Sequence, residues 1–536
     1  MMNVFKSQYS RTVGKALAAG LLVAAALTSC KKFTEITPLN QVDEKQVFAD
    51  SASIELALNG VYNTATVGSY NDSYSGRGYP FGAAAIEQDE MRGEDMVNLA
   101  TFYEITYKSQ YSTTSANNVA MWVNLYSLIN QANAFIEGVK GAVSSKVITE
   151  TKGLQLEAQA RFLRALAHHE LVIHFCRPYA DGNGSQPGVP YRTLATNTVA
   201  KVQENLKMGR GTVAEDYTQM LADLDFAEAN GTGNAISKAN KGAAIALKTR
   251  IKQHMGDWNG VIAEAAKLGA NLAVPKSPIN AYELTPNPAT VFTSYSSNVE
   301  SIFSIANSVA ANGDVNGALA QMFGPSTSSG RGLVSISPNI YNATFWPVND
   351  ARRKLLILQD STKTTKRIYF TGKYTEYANK GDWAPIIRYA EVLLNAAEAY
   401  ARTGNTAKAY DLYKFVHNRS NEKGSAGYLP DVNPGITDMT AAILNERRVE
   451  FLAEGRRWPD IHRLAKDAKY GIPGIPAKVD PSVLASSGAD YVAGSGKVIP
   501  SGIKAIDYTD YRFLWPFPAT ETASNPTLKA AQNPGY

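Results

Sequence analysis

The chain has two cysteines in 536 residues, Cys30 and Cys176, so no disulfide framework supports it. Charged residues make up 19%, below the usual share of about a quarter. The net charge of +5 includes Lys6, Arg11 and Lys15, and no acid precedes Cys30. A chain beginning at Cys30 would carry +2. That is no electrostatic footprint for nucleic acid. The apolar run from Ala16 to Leu27 has twelve residues, too few to span a bilayer. Histidine is scarce, and three of the six stand at His168, His169 and His174 beside Glu170. A zincin motif needs two histidines four apart on one helix face. His169 and His174 are five apart and residue 173 is Ile, so the motif fails and no metal or cofactor is expected. AGSGKV near Gly496 lacks the first glycine and the Ser/Thr of a phosphate loop.

The basic residues before Ala16 and the short apolar core have the form of a signal peptide over residues 1–29. It ends Leu27-Thr28-Ser29-Cys30, which resembles a bacterial lipobox and makes Cys30 the expected lipidated first residue. Two or more acyl chains would anchor the protein stably. Residues 30–40 read as a polar tether, and residues 41–536 as one helical domain.

Apolar residues at spacings of three and four predict helices over about 49–62, 117–139, 154–175 and 212–229. Two helical hairpins are predicted at 241–268 and 386–418. Each has a turn glycine, Gly256 or Gly404, followed by an acid or amide. Their alignment is a weak internal repeat of tetratricopeptide character. Arg388, Glu391, Asn395, Glu398 and Arg402 form a polar stripe opposite the apolar one. Glu446, Glu450 and Glu454 recur at one-turn intervals among Arg447, Arg448, Arg456 and Arg457. Such a set reads as a partly buried ion-pair network, because each acid has an arginine within reach. The fold expected is all-α, a scaffold of helix pairs with a loop-rich insertion over about 271–382, where binding groups usually sit.

Between Tyr70 and Tyr111, eight aromatics fall in 42 residues, about twice the chain average, on backbone broken by glycines. Exposed rings with polar neighbours suit a sugar or another polar-edged ligand. A satellite core beneath a long loop has the same composition, and both readings stay open. Tyr74, Tyr79, Phe102 and Tyr103 are the stacking candidates from this stretch, joined by Tyr295 and Trp346 from the insertion. Trp346 and Trp383 are the tryptophans least committed to helices; Trp122, Trp258, Trp458 and Trp515 read as packing.

LTSC at Cys30, EAQARFLRALAHHELV from Glu157, NDARR from Asn349, APIIRYAEVLLNAAEAYARTGN from Ala384, NERRVEFLAEGRRWPDIHRL from Asn445 and the ending LWPFPATETASNPTLKAAQNPGY occur in this order. Together they resemble the SusD/RagB type of outer-membrane nutrient-binding lipoprotein, over essentially the whole chain. His168 and His169 depart from the aromatic that members usually carry there. The resemblance implies a tetratricopeptide-like scaffold, a lipid-anchored protein at the cell surface, and oligosaccharide or peptide capture for a TonB-dependent (SusC-like) transporter. It implies no catalysis. Ligand contacts in the family lie outside the matched motifs, so no binding residue transfers. Two other readings remain. A helical glycan hydrolase would need two carboxylates across a cleft; Asp89, Glu90, Glu94 and Asp95 are the clustered acids outside the helical network. A pure protein-binding scaffold would leave the aromatic loops idle.

Overall fold

The computed structural model describes residues 44–69, 76–359 and 367–536. Cys30 and Tyr74 lie outside the described residues. Eleven helices there have eight residues or more: α1 (Ser51–Thr66), α2 (Ala83–Arg92), α3 (Ala116–Ser144), α4 (Glu150–Phe175), α5 (Val213–Asn230), α6 (Lys241–Met255), α7 (Trp258–Lys267), α8 (Tyr389–Arg402), α9 (Thr406–Asn418), α10 (Met439–Glu450) and α11 (Arg457–Leu464). The strands are short: β1 (Met96–Asn98), β2 (Ser301–Ile305), β3 (Val334–Ile336), β4 (Leu356–Gln359), β5 (Ile368–Thr371), β6 (Ala384–Arg388), β7 (Gly474–Ile475) and β8 (Ile506–Asp507). They form antiparallel pairs β1–β3, β2–β6, β4–β5 and β7–β8.

The helices pack in chain order. Each of α3 to α8 lies against the next, α8 meets α9 and α10, and α1 covers α3. This is the tetratricopeptide-like stacking expected, in which a helix buries its apolar stripe only by resting on its neighbours. The two aligned hairpins are adjacent in space, α7 against α8, although more than a hundred residues separate them in sequence. Their turns share one construction. Gly256 (φ 72°) and Gly404 (φ 87°) adopt the left-handed conformation that ends the first helix cheaply. Asp257 then accepts from the Gly260 amide at 2.9 Å and Asn405 from Lys408 at 3.1 Å, starting the second helix.

One boundary moves. Residues 386–388 were expected to open α8, but they belong to β6, paired with β2. The Ile386-Ile387 pair suits a strand, and helix begins at Tyr389. The polar stripe is also buried rather than solvated. Arg250 reaches Glu391 at 2.6 Å, Arg463 reaches Glu398 at 2.8 Å, and Arg447 reaches Asn395 at 2.6 Å. Both faces of α8 are therefore interior, one apolar and one zipped by charge.

Arg388 leads a larger network. It contacts Glu300 at 2.6 Å, Glu450 at 2.9 Å and Glu454 at 2.8 Å. Arg352 joins Asp350 and Glu446 at 2.6 Å and Glu450 at 2.9 Å. Lys373 takes Glu454 at 2.6 Å, and Arg419 pairs with both Glu300 and Glu450. His417 places Nδ1 2.7 Å from the Glu446 carboxylate and Nε2 2.8 Å from the Gly427 carbonyl. Two acceptors require two N–H donors, so His417 is an imidazolium. It makes five cations against five acids, a neutral and almost wholly buried set. Burial favours protonated Glu446, but Arg352 and His417 overcome it and hold the carboxyl down to about 2. Arg456 differs from the expectation: among the described residues no carboxylate lies within 4 Å of it, and it faces Glu391, Glu170 and Asp89 at longer range.

Candidate ligand-binding face

Three of the proposed stacking residues are core. Tyr79 and Tyr103 have no exposed surface and Trp346 has 1%. The Tyr79 hydroxyl donates to Asn117 at 3.2 Å. Tyr103 meets the Phe102 ring edge-on at 4.6 Å. Arg353 lies 4.3 Å over Trp346. A ring sealed on both faces has nothing to offer a ligand, so the stacking role does not fit these three. The density of aromatics in 70–111 mostly fills a core: Phe81, Tyr107 and Tyr111 are buried too, and the Tyr107 hydroxyl donates to the Val479 carbonyl at 2.7 Å.

Phe102 and Tyr295 remain half-buried, and one set of loops connects them. The Arg77 guanidinium sits 5.1 Å over the Phe102 ring. Gly317 lies so close to the backbone of Arg77 and Gly78 that no Cβ fits between them. Asp314, three residues earlier, pairs with Lys380. Beside Lys380, a Cβ added at Gly381 would stand 3.6 Å from the Tyr295 hydroxyl. Tyr295 and half-buried Trp383 have ring centres 6.0 Å apart. Trp383 donates from Nε1 to the Asn307 carbonyl at 3.0 Å, and Asn307 donates back to the Asp382 carbonyl at 2.7 Å. Arg331 reaches Asn316 at 2.9 Å.

The backbone here is held under strain. Arg77 (φ 50°), Asp314 (φ 53°), Ser329 (φ 71°) and Lys380 (φ 56°) are left-handed without being glycine. Such residues persist only where surroundings over-determine them, which is typical of ligand clamps. The face thus offers Phe102, Tyr295 and Trp383 as ring surfaces, with Arg77, Asp314 and Lys380 as polar edges. Two other surface grooves, of 700 and 660 Å³, contain none of the five described sequence candidates.

The clustered acids are engaged elsewhere. Glu90 accepts from the Gly455 amide at 2.8 Å, Asp95 from Arg448 at 3.0 Å and Glu94 from Arg457 at 3.0 Å. Gly455 (φ 70°) is required there, since an added Cβ would stand 3.1 Å from the Asp89 carboxylate and 3.3 Å from Ile86. Asp382, behind the face, is pushed up to about 6 by burial, against amide bonds from Glu376 and Thr375. Asp89, Glu170 and His174 gather ligand-type atoms within 4.8 Å of one another. Arg92 lies 3.4 Å from His174 Nδ1, which makes that nitrogen the acceptor and leaves the proton on Nε2, 3.2 Å from Asp89. A metal-bound imidazole instead donates its second N–H outward. Burial and the neighbouring Glu170 push the Asp89 carboxyl well above its usual range, against Arg456 and Arg92, and the His174 N–H points into the set, so it is a poor fit for a cation.

Asp314, Lys380 and Arg77 were invisible in the sequence because tertiary packing alone brings their loops together. Trp383 carried a weak signal, as one of the two tryptophans outside both the expected helices and the motif segments.

The architecture and this face define a helical-repeat scaffold that presents half-buried rings and charged groups on loops. Residues 339–536 match the SusD family model, and residues 43–252 match the family described as starch-binding associating with outer membrane. The chain belongs to the SusD/RagB family. It is 23% identical over 488 residues to SusD-like protein P2 of Formosa agariphila, covering 83% of this chain and 89% of that one. A SusD superfamily protein from Bacteroides fragilis superposes with a TM-score of 0.71 at 24% identity, over 90% of this chain and 99% of the other. Surface glycan-binding protein A from Bacteroides uniformis superposes with a TM-score of 0.66 at 19% identity, over 90% and 99%.

Proposed function

We propose that this protein is a non-catalytic, surface-exposed lipoprotein of the outer membrane that captures oligosaccharide on the loop face and delivers it to a TonB-dependent, SusC-like transporter. The observation that carries the reading is the half-exposed Tyr295–Trp383 pair, held beside the Asp314–Lys380 bridge on strained backbone. Ring faces meet the C–H faces of a sugar, and the charged edges take its hydroxyls. The family description and the glycan-binding relative favour saccharide over peptide. Lipid on Cys30 supplies the anchor.

Screening the purified protein on a glycan array beside a peptide library tests the ligand class. Trp383→Ala is expected to weaken the best glycan about tenfold or more, the loss typical of a central aromatic contact. Full retention of affinity in Trp383→Ala, Tyr295→Ala and Phe102→Ala would remove the face from consideration. New reducing ends released from any glycan would instead favour the hydrolase. Cys30→Ala is expected to leave the outer-membrane fraction.

A further inference from the structure

We infer a second saccharide site, for a neutral, hydroxyl-rich ligand, in the 700 Å³ groove between the loop after α4, the entry to α5 and the C-terminal segment. Its volume falls within the range of small-molecule pockets, roughly 300–1,000 Å³.

The groove is built to hold its shape. Arg210 ties all three segments together, with Nη2 to the Pro187 carbonyl at 3.0 Å and Nη1 to the Ala531 carbonyl at 3.0 Å and Asn533 at 2.9 Å. Asn533 donates onward to the Phe175 and Trp515 carbonyls at 2.8 and 2.7 Å. The floor is closed by Gly188 N–H to the Gly211 carbonyl at 2.8 Å and Val213 N–H to the Gln186 carbonyl at 2.9 Å. These groups are spent on the wall.

Other lining groups are not spent. The side chains of Ser185, Gln186 and Thr527 make no hydrogen bond among the described residues, and all three reach solvent. Glu215 uses Oε2 to cap Thr212, at 2.7 Å from its amide, and keeps Oε1 available. Exposed Pro187 and Pro534 supply apolar surface between these polar groups. Uncommitted hydroxyl, amide and carboxylate oxygens beside apolar patches match a ring with C–H faces and hydroxyl edges. An anionic ligand is disfavoured: the Thr212 hydrogen bonds keep the exposed Glu215 ionised, and the α5 N-terminus is already capped by it. Two cations line the groove and both are engaged: Arg210 has its donors on carbonyls, Asn533 and the Cys176 sulfur, and Arg177 donates from Nη1 to the Tyr508 carbonyl and lies 4.5 Å over the Tyr508 ring. The site shares no residue with the loop face.

The test uses the full chain and hydrogen–deuterium exchange with malto-, cello-, xylo- and mannohexaose as probes. Protection is expected in residues 185–187, 209–215 and 527–534 with at least one probe. Gln186→Ala and Thr527→Val, both partly or fully exposed positions that leave the Arg210 wall intact, are each expected to weaken that protection about tenfold in probe concentration, the worth of one hydrogen bond. Protection elsewhere in residues 374–383 should be unchanged in these variants. Protection confined to 374–383 in the unaltered protein overturns the second site and leaves the loop-face reading standing. Protection confined to the groove supports the second site and overturns the loop face. Protection in neither overturns both. Groove protection that survives both substitutions overturns the residue assignment.

Discussion

The buried charge network around Arg388 and the loop face around Trp383 are made of similar residue types, arginine, carboxylate and aromatic ring, yet they differ in one physical respect. In the network the charged groups are sealed and paired with each other; Arg388, Glu450 and Glu454 are all buried. On the loop face Phe102, Tyr295 and Trp383 stay half-open, and the Asp314 side chain is 58% exposed. Burial separates structure from binding where composition does not. A charge in the network is expensive to unpair, whereas a charge on the face remains available to a ligand because water already competes for it.

The contrast is broken most directly by Arg388→Ala or Glu450→Ala. Each strands buried partners, at a cost of roughly 3–5 kcal/mol. A marked fall in Tm is expected, with glycan affinity of the remaining folded protein unchanged. Normal melting with lost binding would place the network in the site instead.

The next effect is in pH. Glu446 has a depressed native pKa, so its contribution is present above the ordinary carboxylate value of 4.5 and is lost as pH falls through about 2. His417 runs the other way: burial lowers its pKa, but Glu446 raises it more, and the net shift is upward from 6.5. Its contribution is full below that value and is lost as pH rises through the raised native one. Tm should therefore decline on both flanks. His417→Gln should remove the alkaline decline and leave the acid one; parallel Tm profiles for variant and parent above neutral pH would refute the imidazolium.

A smaller effect is expected on the face. Trp383→Ala should change stability by only about 1 kcal/mol, the centre of the distribution for single substitutions, while weakening glycan binding. Unfolding on the scale of Arg388→Ala would show that the ring is core. The smallest is the Asp314–Lys380 pair, where a double-mutant cycle on stability should return about 0–1 kcal/mol because solvent screens an exposed pair. A larger coupling would mean that the bridge is a structural clamp.

The helical frame was legible because periodicity reports burial directly: the α6/α7 and α8/α9 hairpins follow from apolar spacing and their turn glycines. The charge network was legible as a type, since acids and arginines at one-turn intervals need partners, but its strand-borne member was not. Ile386 to Arg388 has a pattern compatible with helix, and only pairing with β2 decides for strand. The site was legible least. Tyr79, Tyr103 and Trp346 have the same composition signal as Phe102, Tyr295 and Trp383, and what separates the two sets is depth beneath loops whose packing has no sequence period.

The side-by-side seating of α7 and α8 bears on how such a protein can change over evolutionary time. The chain leaves the stack after α7, builds the insertion, and returns to the adjoining place at α8. Closing a longer excursion between two fixed points costs only about 0.6 kcal/mol for each doubling of its length. Mutation can therefore lengthen, shorten or rewrite the insertion loops while α7 and α8 continue to meet, so the loop face can diversify on an inherited chassis.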